Sequence, residues 1–538
     1  ADACRPPSFP PRRSSDLDLT AANDGLLSED LSDFNLAKGT TNFTLNGGRN
    51  EYAIMGWFYR AAYDYKGKYL AEVNGRYDGT SRFPRGKRYG FFPSFSAAYR
   101  ISEEAFFEPL RKTVDNLKIR LSYGSLGNQQ IGYYDFIQTI TTKGSMGDYS
   151  FDGTILGQHA TVSDPVSGNQ TWEKVISKNL GADLNMFSNR LSLTADFYIR
   201  DTKGILGKGK SLPSIYGANE PQVNSNNLRT KGYELVLGWR DSFKLAGSTF
   251  SYGITGTFSD YTAEYTKCDN PSGLIGDPYV GKKYGEIWGY KVDGLFRNDE
   301  EAAEYASRVD LSKVAAGYYS ATGAYGKGVR GGDIKYLDLD GSGIVDGGKG
   351  TLEDPGDRRV IGNSSPRYQY GLTLNLSWYG FDLSVFMQGI GRLDWYPGAD
   401  NLRFWGPYSR PYATFIPKNF MSQVWSESNP DAYLPRARAY TSLNSTQGTA
   451  YYTNDRYLQN LAYCRLKNLT LGYTIPKRLT SKVGIKECRV YFSGENLATW
   501  SALKNDFLDP EQAAADSDKK SNVYPWCRTY SVGLNLTF

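Results

Sequence analysis

One segment, Asp338-Leu339-Asp340-Gly341-Ser342-Gly343-Ile344-Val345-Asp346, spaces its oxygens for cation coordination. With Asp338 as position 1, side-chain oxygens fall at positions 1, 3, 5 and 9, glycine at 6 and the Ile344 carbonyl at 7. This matches the first part of an EF-hand-type loop, in which hard oxygens surround Ca2+ and glycine permits the sharp turn. Asp338, Asp340, Ser342, Ile344 and Asp346 are therefore the candidate ligands of a structural Ca2+. Position 12 is Lys349, so the usual bidentate acid is missing. Glu353, Asp354 or Asp357 can replace it only by folding back. An acidic turn holding no metal is the competing reading.

A second candidate is aromatic. The stretch WYPGADNLRFWGPYSRPYATF (residues 395–415) is rich in rings and carries Asp400, Asn401, Arg403 and Arg410 among them. Apolar sugar faces stack on rings, and polar neighbours bond sugar hydroxyls. Trp395, Trp405, Tyr408, Arg410 and Tyr412 are accordingly the substrate-binding candidates. Girdle packing or contact with a lid protein explains the same residues equally well. Enzyme chemistry finds little support: His159 is the single histidine, and neither a G-x-S-x-G elbow nor a phosphate-binding glycine loop occurs. The five cysteines are scattered, without metal-like spacing.

The elements that must position these loops follow from composition and period. Mean hydropathy is −0.51, and no stretch approaches the ~18 apolar residues of a membrane helix. A barrel strand meets lipid only at every second side chain, so low bulk hydropathy does not exclude a barrel. Aromatics make up 14% of the chain, which suits belts at membrane–water interfaces. The 62 basic and 57 acidic residues are interspersed, with no basic run of the kind that binds nucleic acid. Residues 1–17 have no apolar signal core and no strand pattern, and read as a segment foreign to the fold.

From about Glu51 a period of two recurs. Tyr69, Ala71, Val73 and Tyr77 alternate with Glu72, Asn74, Arg76 and Asp78. Leu117, Ile119 and Leu121 alternate with Lys118, Arg120 and Ser122. Leu372, Leu374, Leu376 and Trp378 share a face of a strand that turns near Tyr379-Gly380. Short hairpins contrast with two long loops, about 297–365 and 392–460. The chain closes on an alternating strand ending in Phe538, as outer-membrane barrels do. The pattern predicts an all-β, antiparallel transmembrane β-barrel over residues 18–538, with roughly fourteen or fifteen candidate strands, well short of the ~22 of the largest plugged barrels. A secreted sandwich would show the same alternation.

Ordered blocks then carry a resemblance. KNLGADLNMFSNRLSLTADFYIRDTKGIL (178–206), NLRTKGYELVLGW (227–239), GEIWGYKVDGLF (285–296), the region 332–389, YCRLKNLTLGYTIPKRL (463–479) and VYFSGENLATWSAL (490–503) resemble the SusC-like (RagA-like) branch of TonB-dependent outer-membrane transporters. The resemblance implies energy-coupled import of a large nutrient, usually an oligosaccharide and sometimes peptide. It also implies a SusD-like surface lipoprotein as lid and an inner-membrane TonB complex acting on a plug. The plug, TonB-contacting box and first strands of the family pattern have no counterpart in this sequence. A surface receptor or adhesin using the same barrel without transport, or a peptide importer, remains the alternative.

Overall fold

A period of two makes strands only if the peptide groups find partners on either side, and the chain finds them in sequence order. The computed structural model describes residues 12–22, 44–143, 150–151, 154–155, 159–210, 212–319, 328–410, 412, 416, 418–438, 443, 448–504, 508–515 and 526–538. Fourteen strands form one sheet in which neighbours in sequence are neighbours in space. They are β1 (Arg12–Ala22), β2 (Thr44–Tyr65), β3 (Tyr69–Thr80), β4 (Tyr89–Arg100) and β5 (Val114–Asn128). Next come β6 (Glu173–Met186), β7 (Leu191–Lys208), β8 (Gln222–Leu245), β9 (Ser248–Lys267) and β10 (Arg367–Trp378). The last four are β11 (Phe381–Arg392), β12 (Tyr463–Thr474), β13 (Glu487–Ser501) and β14 (Thr529–Thr537).

Residues 12–17, set aside on sequence, belong to β1, which pairs antiparallel with β2 from Arg12↔Ile54 to Ala22↔Thr44. The strand reading therefore extends to Arg12. Ladder bonds are made by peptide groups, so a strand can form where side-chain alternation is not legible. Residues 1–11 lie outside the described residues.

The chain clusters into two units, residues 1–98, 121–178 and 200–228 in the first, and 99–120, 179–199 and 229–538 in the second. In the first unit Trp57↔Tyr77, Ala61↔Val73, Tyr63↔Ala71 and Tyr65↔Tyr69 share one face of the β2–β3 hairpin. Trp57, Tyr63, Val73 and Tyr77 are exposed there. On the other face Arg60 forms a two-bond fork with Glu72, both bonds at 2.9 Å. Tyr59 lies over Gly75, where an added Cβ would come within 2.7 Å of its hydroxyl oxygen, so glycine is needed for that ring to lie flat.

The second unit repeats the two-faced pattern. Across β9 and β10 the apolar pairs Ile254↔Leu374, Gly256↔Leu372 and Phe258↔Tyr370 alternate with Ser251↔Ser377, Gly253↔Asn375 and Thr255↔Thr373. Across β13 and β14 Val490↔Leu534 and Phe492↔Val532 alternate with Arg489↔Asn535 and Ser493↔Ser531. On β13 the apolar row is the more exposed one, with Val490 and Phe492 exposed while Arg489 and Ser493 are half-buried, and on β14 Val532 is 79% accessible. Burying such a side chain is worth ~1.5–3 kcal/mol, so rows of them facing water would forfeit much of the stability of a domain. Hydrocarbon removes that penalty, and a sandwich does not. The turns Ala246-Gly247 (φ 48° and 84°) and Tyr379-Gly380 (φ 49° and 83°) are two-residue hairpin turns in the left-handed conformation that matches strand twist.

A protein-like core occurs elsewhere, in the two long connections of the second unit. These run over residues 268–366 and 393–462, so the first begins well before the expected residue 297. They are not free loops. Glu286–Tyr290 pairs with Arg358–Asn363, and Val292–Leu295 with Ile334–Tyr336. The block GEIWGYKVDGLF thus makes two short strands outside the large sheet, each paired with a segment distant in the chain. Phe296, Leu311, Tyr318, Ile334, Trp405, Tyr457 and Leu461 pack in one cluster with almost no solvent contact.

Candidate functional site in the long-loop assembly

The acidic turn is carried between the strands Ile334–Tyr336 and Arg358–Asn363, each held in its own two-stranded pairing. Carboxylate oxygens of Asp338, Asp340 and Asp357 lie within 4.8 Å of one another. Asp357 is the residue that folds back. Its carboxylate has no solvent contact and accepts the backbone N–H groups of Leu339 (2.6 Å) and Asp346 (2.9 Å). Asp338 accepts from the N–H groups of Gly341 (2.8 Å) and Gly343 (2.9 Å), and Asp340 from Ser342 (2.9 Å). Burial pushes the Asp357 carboxyl up, against the pull of those N–H donors. Hydrogen bonds from Ser342 hold the Asp340 carboxyl low.

Of the five expected ligands, then, Asp338 and Asp340 stand together with Asp357. The Ser342 hydroxyl donates to the Ile344 carbonyl at 3.0 Å. Asp346 is outside the three-carboxylate group and accepts Gly348 N–H at 2.7 Å. Asp354 and Glu353, the other two candidates for the missing position, are not in the group either.

The aromatic candidates separate more sharply. Trp395, Trp405 and Tyr408 are buried in the loop core, with Trp405 at 0% accessibility. Trp405 meets the Tyr457 ring edge-on at 5.1 Å and donates its Nε1–H to the Gly398 carbonyl at 3.1 Å. Tyr408 donates to the Pro435 carbonyl at 2.5 Å. A stacking platform must show a ring face to solvent, so the substrate-binding reading of these three is corrected to core packing. Arg410 stands 4.0 Å from Asp400 and is half exposed, and Tyr412 is 82% exposed. Phe415 lies outside the described residues. His159 falls in a short strand paired with residues 140–143.

Two concavities of the second unit escaped the sequence reading because their residues come from separate segments. One, of about 380 Å3, lies at the loop ends of β9, β10 and β11 and is lined by Tyr261, Lys283, Tyr284, Glu286, Arg367, Tyr368 and Arg392 among others. Beside it Tyr279 donates to the lining Glu286 at Oε2, 2.5 Å away; burial, then the adjoining carboxylate, push that phenol up to about 12, so the proton stays on the tyrosine. The other, of about 710 Å3, lies by the short turns and is lined by Ser188, Asn189, Ser251, Asn375, Ser377 and Ser384 among others.

Comparison with known proteins adds to this geometry. A family described as "TonB dependent receptor-like, beta-barrel" matches residues 12–497. TonB-dependent receptor P3 of Formosa agariphila is 26% identical over 535 residues, covering 95% of this chain and 48% of the relative. TonB-dependent receptor SusC of Bacteroides thetaiotaomicron is 23% identical over 505 residues, covering 90% and 44%. Among solved structures, the RagAB peptide transporter superimposes with TM-score 0.70 at 21% identity, over 95% of this chain and 50% of that one. The chain spans about half the length of the curated relatives it matches.

Proposed function

Since the chain belongs to the TonB-dependent receptor-like β-barrel family, a family of outer-membrane receptors and not of enzymes, we propose that it forms the wall through which large hydrophilic nutrients, oligosaccharides first among them, are imported. The two-faced sheet carries this reading. Its apolar rows carry many exposed large side chains, such as Trp57, Val73, Leu372, Val490 and Phe492, as lipid contact requires, while its other face carries groups that bond one another and would bond a polar cargo. Arg120 bonds both Asp183 (2.9 Å) and Asp196 (3.0 Å), and Arg489 bonds Asp382 (2.9 Å). Hydroxyl and amide groups line the larger recess together with Arg190, Arg240, Asp241 and Asp382, a polar lining that suits a hydroxyl-rich chain better than an apolar one. A SusD-like surface lipoprotein and the TonB complex are the partners that complete such an importer.

Deleting the gene in its host and measuring growth on single carbon sources tests the reading. The expected result is loss of growth on one class of oligosaccharide with growth on its monosaccharides kept. Loss on peptides alone would move the cargo to peptide. No change in any uptake would make the barrel a non-transporting receptor or adhesin.

We also infer a structural Ca2+ held by Asp338, Asp340 and Asp357. Three clustered hard oxygen donors on a glycine-permitted turn support it.

A further inference from the structure

The smaller concavity, at the loop ends of β9 to β11, is lined by basic and aromatic side chains. Three of its lining side chains are cations, Lys283, Arg367 and Arg392, against a single lining carboxylate, Glu286. Glu286 is already engaged, since its Oε2 accepts from Tyr279 at 2.5 Å and from Trp288 Nε1 at 3.3 Å. Counterions of the two arginines stand outside the lining. Asp260 takes Nε and Nη2 of Arg367 (2.6 and 2.5 Å). Asp394 takes Nε and Nη2 of Arg392 (3.2 and 2.9 Å). Each guanidinium therefore keeps its Nη1 edge uncommitted among the described residues. Lys283 is exposed and makes no ion pair among them.

The same pocket offers one ring face. Tyr284 is 55% exposed, whereas the Tyr368 ring is stacked on Phe258 of the apolar row. Arg367↔Arg392 falls in the same alternate row as Asn375↔Ser384 and Ser377↔Asp382, which is the polar face of the sheet and not the lipid-facing row. Its volume lies within the ~300–1,000 Å3 range of small-molecule sites.

We propose that this pocket binds one anionic sugar unit, bearing a carboxylate or a sulfate ester, of an oligosaccharide cargo. The arginine edges and Lys283 take the anion through charge-assisted bonds, for which a planar guanidinium edge is well shaped. A tyrosine ring takes the apolar sugar face. The inference rests on the oligosaccharide-import reading and narrows it to acidic glycans.

The test is titration calorimetry on the full-length protein in detergent micelles. The probes are an oligogalacturonide, a sulfated galacto-oligosaccharide, a neutral galacto-oligosaccharide and an oligoglutamate peptide. At least one acidic glycan should bind about tenfold more tightly than the neutral one, the scale of one charge-assisted hydrogen bond. Lys283→Gln should remove most of that preference and Lys283→Arg should restore it, with neutral-glycan affinity unchanged. The Lys283 side chain makes no hydrogen bond or ion pair among the described residues, and its backbone bonds are kept in either variant, so the variants keep the fold; unaltered heat-modifiable gel mobility checks this. Equal binding of neutral and acidic glycans, an unchanged preference in Lys283→Gln, or binding of no probe overturns the pocket assignment. With neutral-glycan binding intact, that failure leaves oligosaccharide import standing. Binding of oligoglutamate alone removes both.

Discussion

Asp333 and Arg438, 105 residues apart in the chain, form a two-bond ion pair at 2.9 and 2.5 Å with both side chains almost wholly out of water. The Arg438 guanidinium also lies 4.1 Å from the centroid of the Tyr318 ring. The pair ties one long connection to the other inside the loop core. Removing one partner strands a buried charge, so Asp333→Asn should destabilise the loop assembly by about 3–5 kcal/mol. The double change Asp333→Asn with Arg438→Met should recover part of that. Thermal melting followed by near-ultraviolet circular dichroism measures both, and equal melting of wild type and Asp333→Asn would contradict the assignment.

Trp405 is the sharpest separation of packing from recognition. Its ring has no solvent contact and meets Phe404 (4.8 Å) and Tyr457 (5.1 Å) edge-on. Trp405→Ala should cost about 3–5 kcal/mol through the cavity left behind. Tyr412→Ala, at an exposed ring, should leave melting within about 0.5 kcal/mol of wild type. A cargo-affinity loss in Trp405→Phe without loss of stability would return the residue to the binding set.

Calcium should raise the melting temperature of the loop assembly, and chelator should lower it. Asp338→Ala with Asp340→Ala should abolish the difference. Asp357→Ala should abolish it and also lower the calcium-free baseline, because Leu339 and Asp346 N–H groups lose their acceptor. Identical calorimetric traces with and without chelator would dismiss the ion.

The two sheet faces should respond oppositely to charge. Val532→Arg puts a cation on the exposed apolar row and should cost up to ~2–4 kcal/mol on refolding into lipid vesicles, depending on depth. Ser377→Arg, opposite Asp382 on the polar row, should cost little. Comparable losses in both would undo the facing assignment.

Much of the sheet was legible because alternation is local. Leu372, Leu374, Leu376 and Trp378 share a face as the period requires, and the chain turns at Tyr379-Gly380. The loops were not legible in that way. Nothing local to Trp405 says that Tyr457 lies against it, since a ring-rich loop reads alike whether its rings face a cargo or one another. The return of Asp357 to Asp338 depends on the pairing of Glu286–Tyr290 with Arg358–Asn363, a contact across some seventy residues that no spacing rule encodes. The pocket around Lys283 draws on several distant segments, so its only sequence trace was the aromatic and charged character of each.

The placement of the buried cluster in the connections, with outward apolar rows in the strands, makes this a protein of two solvents. A leucine in the Leu372 row is judged by how it mixes with hydrocarbon tails, one such as Leu434 by how it fits between rings. Aqueous denaturant should attack the second population first, and a harsh micelle the first. One melting temperature cannot describe such a chain. Any claim that a substitution is stabilising has to say in which liquid.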